Sequence, residues 1–502
     1  VVGGVYFAFS KWSVQVDAQP QWSAGPDPAA NHPPTAPNRA LEQTFSDYNV
    51  ENLYDYRDDP FDGCDFTGNA GCPGVSPPFD YVPASDADYQ NRLGLIARQI
   101  VEDLHAPDVV MTQEGEDQDI CVVAGGQLAC GTTNNADGKP DSLQELALRI
   151  LAIGGPRYDT AYDRNGADAR GIVSAFMFRT DRVELLPVTA SDPVFGSSPQ
   201  VVYDTAPLPY NVDVQNPKAL NAVLPARAND GTGTDGTNVY TRAPQVAAFR
   251  LWRNGVGTSV WTDVVAISNH FSSTPQNRVG QRREQALYNA RIIDALDEAR
   301  PLVITAGDFN VFPRPDDPYD PSSPRYPTDQ LAPLYEHGLE NLWDVELAEA
   351  PAAAYSYVFD GNAQTLDQQF VSPALFALLN EARTAHVNAD YPQGEEETDT
   401  RGLSDHDPMV SQYDAAPTVA KLRALVELYI AQGRVTGTNT ARILRDRLDR
   451  IEQLLAAGQT DAALSQLQAL ADQAREMAPT RIDQAAADAI AREAELLKEL
   501  LS

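Results

Sequence analysis

A chain of 502 residues with 71 acidic against 37 basic side chains, a net charge of −34, is long enough for two or three domains and at least one large core. Such acidity favours solubility and repels polyanions unless a local basic patch or bound cations intervene, which counts mildly against tight nucleic-acid binding. No run approaches the roughly 18 apolar residues of a membrane span, and the short opening "VVGGVYFAF" reads as neither a transmembrane helix nor a signal peptide. The absence of Met at position 1 reads as processing or trimming.

Residues 1 to about 20 alternate apolar and polar in "GVYFAFSKWSVQV". The Pro- and Ala-rich "QPQWSAGPDPAANHPPTAPNRA" follows, which suggests the last strand of an upstream β element and then a linker, together 1–40. From Thr44 the pattern runs strand ("TFSDYNVENLY"), loop, helix ("DYQNRLGLIARQIVEDL", apolar at Leu93, Ile96, Ile100 and Leu104) and strand ("PDVVMTQE"). Further strands are predicted at "GIVSAFMFR", "PQVAAFRLW", "TDVVAISNHF" and "PLVITAGDF", with a helix from about Arg278 to Arg300 before the last. The alternation predicts a layered α/β domain over 41–415. Two long loops, "ARANDGTGTDGTN" and "FPRPDDPYDPSSPRYPTD", are of a length that is usually functional or disordered.

After Pro417 the composition turns to Ala, Leu, Gln and Arg. Residues 417–502 hold 11 basic and 12 acidic groups, net −1, so the acidity lies upstream. Apolar residues recur at helical spacing, broken by Gly433, Gly458 and Pro479, which predicts a separate bundle of about four helices. Four cysteines fall as two local pairs, Cys64 with Cys72 and Cys121 with Cys130, in polar loops. Two disulfides and an extracytoplasmic compartment are the expectation. A four-Cys zinc site is the weaker alternative, because the spacing within each pair is too wide.

Polar residues gather where these strands end. "NVEN" puts Asn49 and Glu51 two apart, hence on one face of a strand; "TQEGED" ends an apolar strand with Glu114. "SNHFSS" places His270, "AGDFN" places Asp308 and Asn310, and "SDHDP" supplies Asp405 and His406. A carboxylate at one strand end is more often a cap than a ligand. Several such groups at the ends of an open sheet have the chemistry to converge on a divalent cation and a phosphate.

In their order, "NVENL", "QEGED", "SNHFSS", "GDFNVFP", "TLDQQFVSP" and "SDHDP" resemble the endonuclease/exonuclease/phosphatase superfamily, over about 44–413. The resemblance implies a deoxyribonuclease I-like layered α/β sandwich of mixed sheets, followed here by the small all-α bundle. It implies that Asn49 and Glu114 bind the cation, with Asp405 close by or bound, and that Asp308 and Asn310 orient the scissile phosphate. His406 would pair with Asp367, His270 would be the second catalytic histidine, and Arg242 of "TRAP" would contact phosphate. An acidic partner for His270 is expected before "GIVSAFMFR", where Asp168 and Asp163 are the choices. The chain looks most like the bacterial secreted nuclease branch, in which an oligonucleotide-binding-like barrel often comes first. The tail resembles the helical module called FIMAH, as a unit for attachment or partner binding or simply a packed bundle.

The function expected is a secreted phosphodiesterase that hydrolyses DNA or RNA with a divalent cation, Mg2+ before Mn2+ or Ca2+. A phosphatase or phospholipid phosphodiesterase on the same scaffold is the alternative, because fold does not choose among substrates. A binding protein on an inactive scaffold is disfavoured, since the expected catalytic residue types are present.

Overall fold

The computed structural model describes residues 3–8, 11–16 and 26–501, apart from 57–82, 84, 118, 120, 131–136, 169, 254, 258–260, 297–299, 318–327, 392–399 and 416–417. Cys64 and Cys72 lie outside the described residues. Where a single upstream strand is expected, Gly3–Ala8 and Lys11–Val16 pair as an antiparallel hairpin.

Two mixed sheets make the body. In the first the order is Leu379–Thr384, Met409–Asp414, Glu42–Leu53, Val109–Glu116, Ile172–Arg179, Tyr158–Ala161. In the second it is Lys218–Ala219, Gln245–Trp252, Trp261–His270, Val303–Asp308, Asp367–Val371, Glu340–Asn341, and Val183–Leu185 adds to Gln245–Trp252. Each sheet has one central parallel pair, Glu42–Leu53 with Val109–Glu116 and Trp261–His270 with Val303–Asp308; the remaining pairings are antiparallel.

Strand alternation builds the layers. Phe45, Val109, Met111 and Phe176 of the first sheet meet Phe249, Val264, Ala266 and Ile304 of the second in one buried cluster, so the sheets pack face to face. The intervening positions point outward. Tyr48, Val50 and Val110 lie under the helices Asp86–Arg98 and Asp141–Ala152, and Val246, Val265 and Val303 lie under the helix Val279–Ala295. The Asp141–Ala152 helix is absent from the sequence reading, although "SLQELALRIL" has the spacing. The helix expected over Arg278–Arg300 ends at Ala295, and the first helix passes at Gln99 into a wider turn.

Four helices follow, Val419–Ala431, Thr438–Ala456, Thr460–Met477 and Gln484–Leu501, around a core of their own that includes Leu422, Val426, Leu444, Leu448, Leu467, Leu470 and Ile490. They rest on the body through Arg492, which donates to the Trp261 carbonyl at 3.3 Å and stacks on its ring, and through the Lys421–Asp414 pair at 2.9 Å.

Candidate active site

The inward face of the sandwich that buries Val264 and Ala266 continues through Ser268 to His270, two residues at a step. The face of Ile304 and Ala306 likewise ends at Asp308, which pairs in register with Asp367 across the neighbouring strand. In the first sheet, Phe45 and Asp47 lead to Asn49. The apolar core therefore turns polar at one edge, where the C-terminal ends of both parallel pairs meet. There the two sheets border a cleft of about 610 Å³ lined by Glu114, Asp168, Arg170, Arg242, His270, Asp308, Asn310, Tyr357, Asp405 and His406, and by residues 235–238 of the first long loop.

The backbone leaves the extended region at this edge. Glu51, Asn52, Glu114 and Asn310 have φ of 50°, 45°, 65° and 52°, and the register shifts between Asn49 and Leu53. Non-glycine residues hold such conformations only when their surroundings fix them. Here the Glu51 N–H donates to Asn49 Oδ1 at 3.0 Å, the Asn52 N–H to Glu114 Oε2 at 2.9 Å, and the Asn310 N–H to Asp308 Oδ1 at 2.8 Å. The shift ends the alternation that had put Asn49 and Glu51 on one face. Arg92 donates to the Val50 and Glu51 carbonyls at 3.2 and 2.8 Å, which anchors the turn to its helix.

Asp308 is the hub. Its Oδ2 accepts from Asn310 Nδ2 at 2.7 Å and Asn49 Nδ2 at 3.4 Å, and lies 3.3 Å from His270 Nε2 and 3.9 Å from His406 Nε2. His406 Nδ1 sits 2.7 Å from Asp367 Oδ2, the pairing the sequence resemblance implies, and Ser356 Oγ donates to the same oxygen at 2.8 Å. A carboxylate on Nδ1 fixes the tautomer and turns Nε2 to the cleft, 3.6 Å from Asp405 Oδ1.

Electrostatics separates the two imidazoles. Burial works against the His406 imidazolium, but Asp367, Asp405 and Asp308 outweigh it and hold its pKa well above the ordinary value. Burial, reinforced by Arg242, Arg170 and His406, holds His270 well below it. Burial pushes Asp308 up to about 7; His406 opposes that rise, and Asp367 and Glu114 add to it.

Asp168 is a correction. It does not reach His270: its Oδ2 lies 3.1 Å from Arg170 Nε and 3.6 Å from Arg242 Nη1, so it ties two arginines to the cleft wall. Asp163, the other choice, accepts from Ala219 N at 2.9 Å and Asn165 N at 3.0 Å. The carboxylates beside His270 are Glu114, at 3.5 Å, and Asp308, and its buried Nδ1 has no partner among the described residues. The register shift displaces Glu114 towards the histidine, and such a shift leaves no periodic trace in sequence. Arg170, Ser356 and Tyr357, whose ring centre is 4.8 Å from that of His406, also join the site unforeseen. Only the Arg170 position, two residues after Asp168, offered a signal.

The donor set fits a hard divalent cation: carboxylate oxygens of Glu114, Asp308 and Asp405 line the cleft, and the amide of Asn49 lies beside Asp308. Ligand atoms of Asp308, Asp367 and His406 also lie within 4.8 Å of one another.

Residues 419–499 match the family model of the FIMAH domain. The helical tail is thus similar to the FIMAH module over nearly its whole length. No curated protein matches the chain. Among solved structures, the chain resembles an endonuclease/exonuclease/phosphatase family protein from Bacteroides thetaiotaomicron at 16% identity and TM-score 0.36, over 74% of this chain and 97% of that one. It also resembles AP endonucleases from Archaeoglobus fulgidus (12%, 0.36, 74% and 99%) and Leishmania major (13%, 0.38, 75% and 89%).

Proposed function

We propose that the cleft hydrolyses phosphodiester bonds of nucleic acid with a divalent cation, Mg2+ first. The observation that carries this reading is the meeting of the Asp367–His406 pair, a neutral His270 and the Asp308–Asn310 unit around one cation-suited carboxylate group.

A phosphodiester resists attack because of its own negative charge, so hydrolysis needs charge neutralised, a water aligned and a proton moved. Glu114 and Asn49, with Asp405 beside them, would hold the cation, which supplies that neutralisation when bound. Arg242, held by Asp168 and by the Phe271 carbonyl at 3.4 Å, adds fixed positive charge to the wall. His270, neutral, presents Nε2–H as a donor to a phosphate oxygen. Asn310 Nδ2 orients the Asp308 carboxylate. His406 exchanges a proton with the reacting oxygen at Nε2, and Asp367 keeps the ring in place.

The Cys121–Cys130 disulfide supports a secreted or cell-surface setting. The net charge of −34 favours keeping a second reading, a phosphatase or phospholipid phosphodiesterase, since a long polyanion must approach against it. Plasmid DNA, structured RNA, a phosphomonoester and a choline phospholipid, each with Mg2+, Mn2+, Ca2+ or chelator, separate the readings. Turnover of DNA or RNA that chelator abolishes supports the first; turnover of the monoester or lipid alone supports the second.

A further inference from the structure

The helix Val279–Ala295 turns a row of buried polar side chains, Gln281, Arg282, Gln285 and Asn289, towards the cleft loops. Arg282 is fully buried and has no carboxylate partner within ion-pair distance among the described residues. Its guanidinium instead caps the loop that follows His270. It donates to the carbonyls of Ser272, Ser273 (3.0 Å), Thr274 (2.8 Å), Pro275 (2.9 Å) and Asn277, and through Nε to Gln330 Oε1 at 2.6 Å. Gln330 Nε2 returns to the Pro275 carbonyl at 3.3 Å, and Gln285 Oε1 accepts from the Ser272 N–H at 3.1 Å. The loop needs holding, since Thr274 and Arg278 have φ of 69° and 55°, left-handed conformations that non-glycine residues keep only when their surroundings fix them.

This loop begins at Phe271, whose carbonyl accepts from both Arg242 Nη2 (3.4 Å) and Asn310 Nδ2 (3.3 Å), and whose N–H donates to the Asp308 carbonyl at 2.9 Å. One backbone unit thus registers the phosphate-facing arginine, the amide beside Asp308 and the strand end of His270. We propose that Arg282 is a positioning residue for the reaction: by clamping 272–277 it sets the Phe271 carbonyl, and through it the placement of Arg242 and Asn310. The inference rests on the phosphodiesterase reading of the cleft. Only an arginine supplies this clamp, because its five planar N–H donors serve acceptors spread along a curved loop, whereas a lysine has three donors at one point. Burial draws its pKa down to about 9.

The test pairs Arg282→Lys, which keeps the charge, with the milder Gln330→Met, which removes only the Nε partner. Hydrolysis of bis(p-nitrophenyl) phosphate and amide hydrogen exchange are measured on folded protein of each. The clamp requires kcat to fall about tenfold or more in Arg282→Lys with KM within about threefold, a smaller fall in Gln330→Met, and faster exchange confined to 271–278 and 309–310. Unchanged kcat per folded molecule, or exchange that rises throughout both sheets, overturns the proposal and leaves Arg282 a stability element. Should Arg282→Lys fail to fold, Gln330→Met decides by the same two readouts. A wild-type protein that leaves the ester intact overturns the phosphodiesterase reading instead, and loop exchange alone then upholds or overturns the clamp.

Discussion

Asp405, His406 and Asp407 are adjacent in sequence yet face three environments, because the extended backbone entering Met409–Asp414 turns successive side chains to opposite sides. Asp405 is the most open of the three at the cleft, His406 is buried against Asp367, and Asp407 is buried on the far side, where its carboxylate accepts from the Asn388 and Ala389 N–H groups at 2.7 and 3.0 Å and meets His386 Nδ1 at 3.1 Å. The sequence motif shows the cluster but not this division, since His386 is supplied by tertiary packing. His406→Ala should lower turnover about a hundredfold or more with little change in substrate binding. Glu114→Gln should weaken cation binding and so raise the cation concentration needed for turnover, because a neutral amide replaces a carboxylate ligand. Cation titration of both variants separates the roles: added metal should restore part of the Glu114→Gln activity and none of the His406→Ala activity. Equal rescue of the two contradicts the assignment.

The strand ends were legible because a period of two in the apolar residues fixes which side chains face inward, and the site is that inner face carried one step further. The helix Val279–Ala295 was legible as a helix but not as a clamp, for a buried Arg and two Gln on one helix face read in sequence as a solvated stripe. The same blindness covers the Trp343–Glu349 helix, where buried Glu346 accepts from Thr384 N–H and Oγ1 at 2.8 and 2.7 Å. Burial pushes that carboxyl up to about 7. In the unfolded chain it titrates at about 4.3, so the folded state holds the extra proton between these values and stability falls as pH rises through that window. Glu346→Gln removes the charge while its Oε1 accepts from the Thr384 N–H and its Nε2 donates to the Thr384 hydroxyl. Its unfolding free energy relative to wild type should therefore grow by roughly 2–3 kcal/mol from pH 5 to pH 8. Denaturant unfolding at the two pH values checks this; a pH-independent difference contradicts a raised Glu346 pKa.

For the whole molecule, composition alone separated a nearly neutral helical tail from an acidic α/β body, and the Ala- and Leu-rich spacing gave its four helices. The contact between the two was not legible, because Trp261 and Arg492 are 231 positions apart. A chain ending near Ala415 should stay folded, keep its turnover per molecule and melt lower than the full chain, since it exposes Trp261 and Leu302, which border the bundle. Residues 418–501 alone should be helical by circular dichroism, given their own core; a folded but inactive truncated chain would place catalytic function in the tail. The central claim is that one cleft cuts phosphodiesters through a divalent cation and His406. Supercoiled plasmid incubated with wild-type protein and with His406→Ala, in Mg2+ and in chelator, tests it most directly. The expected result is nicking by wild type in Mg2+ alone. Nicking that persists in chelator, or that folded His406→Ala matches, contradicts the account.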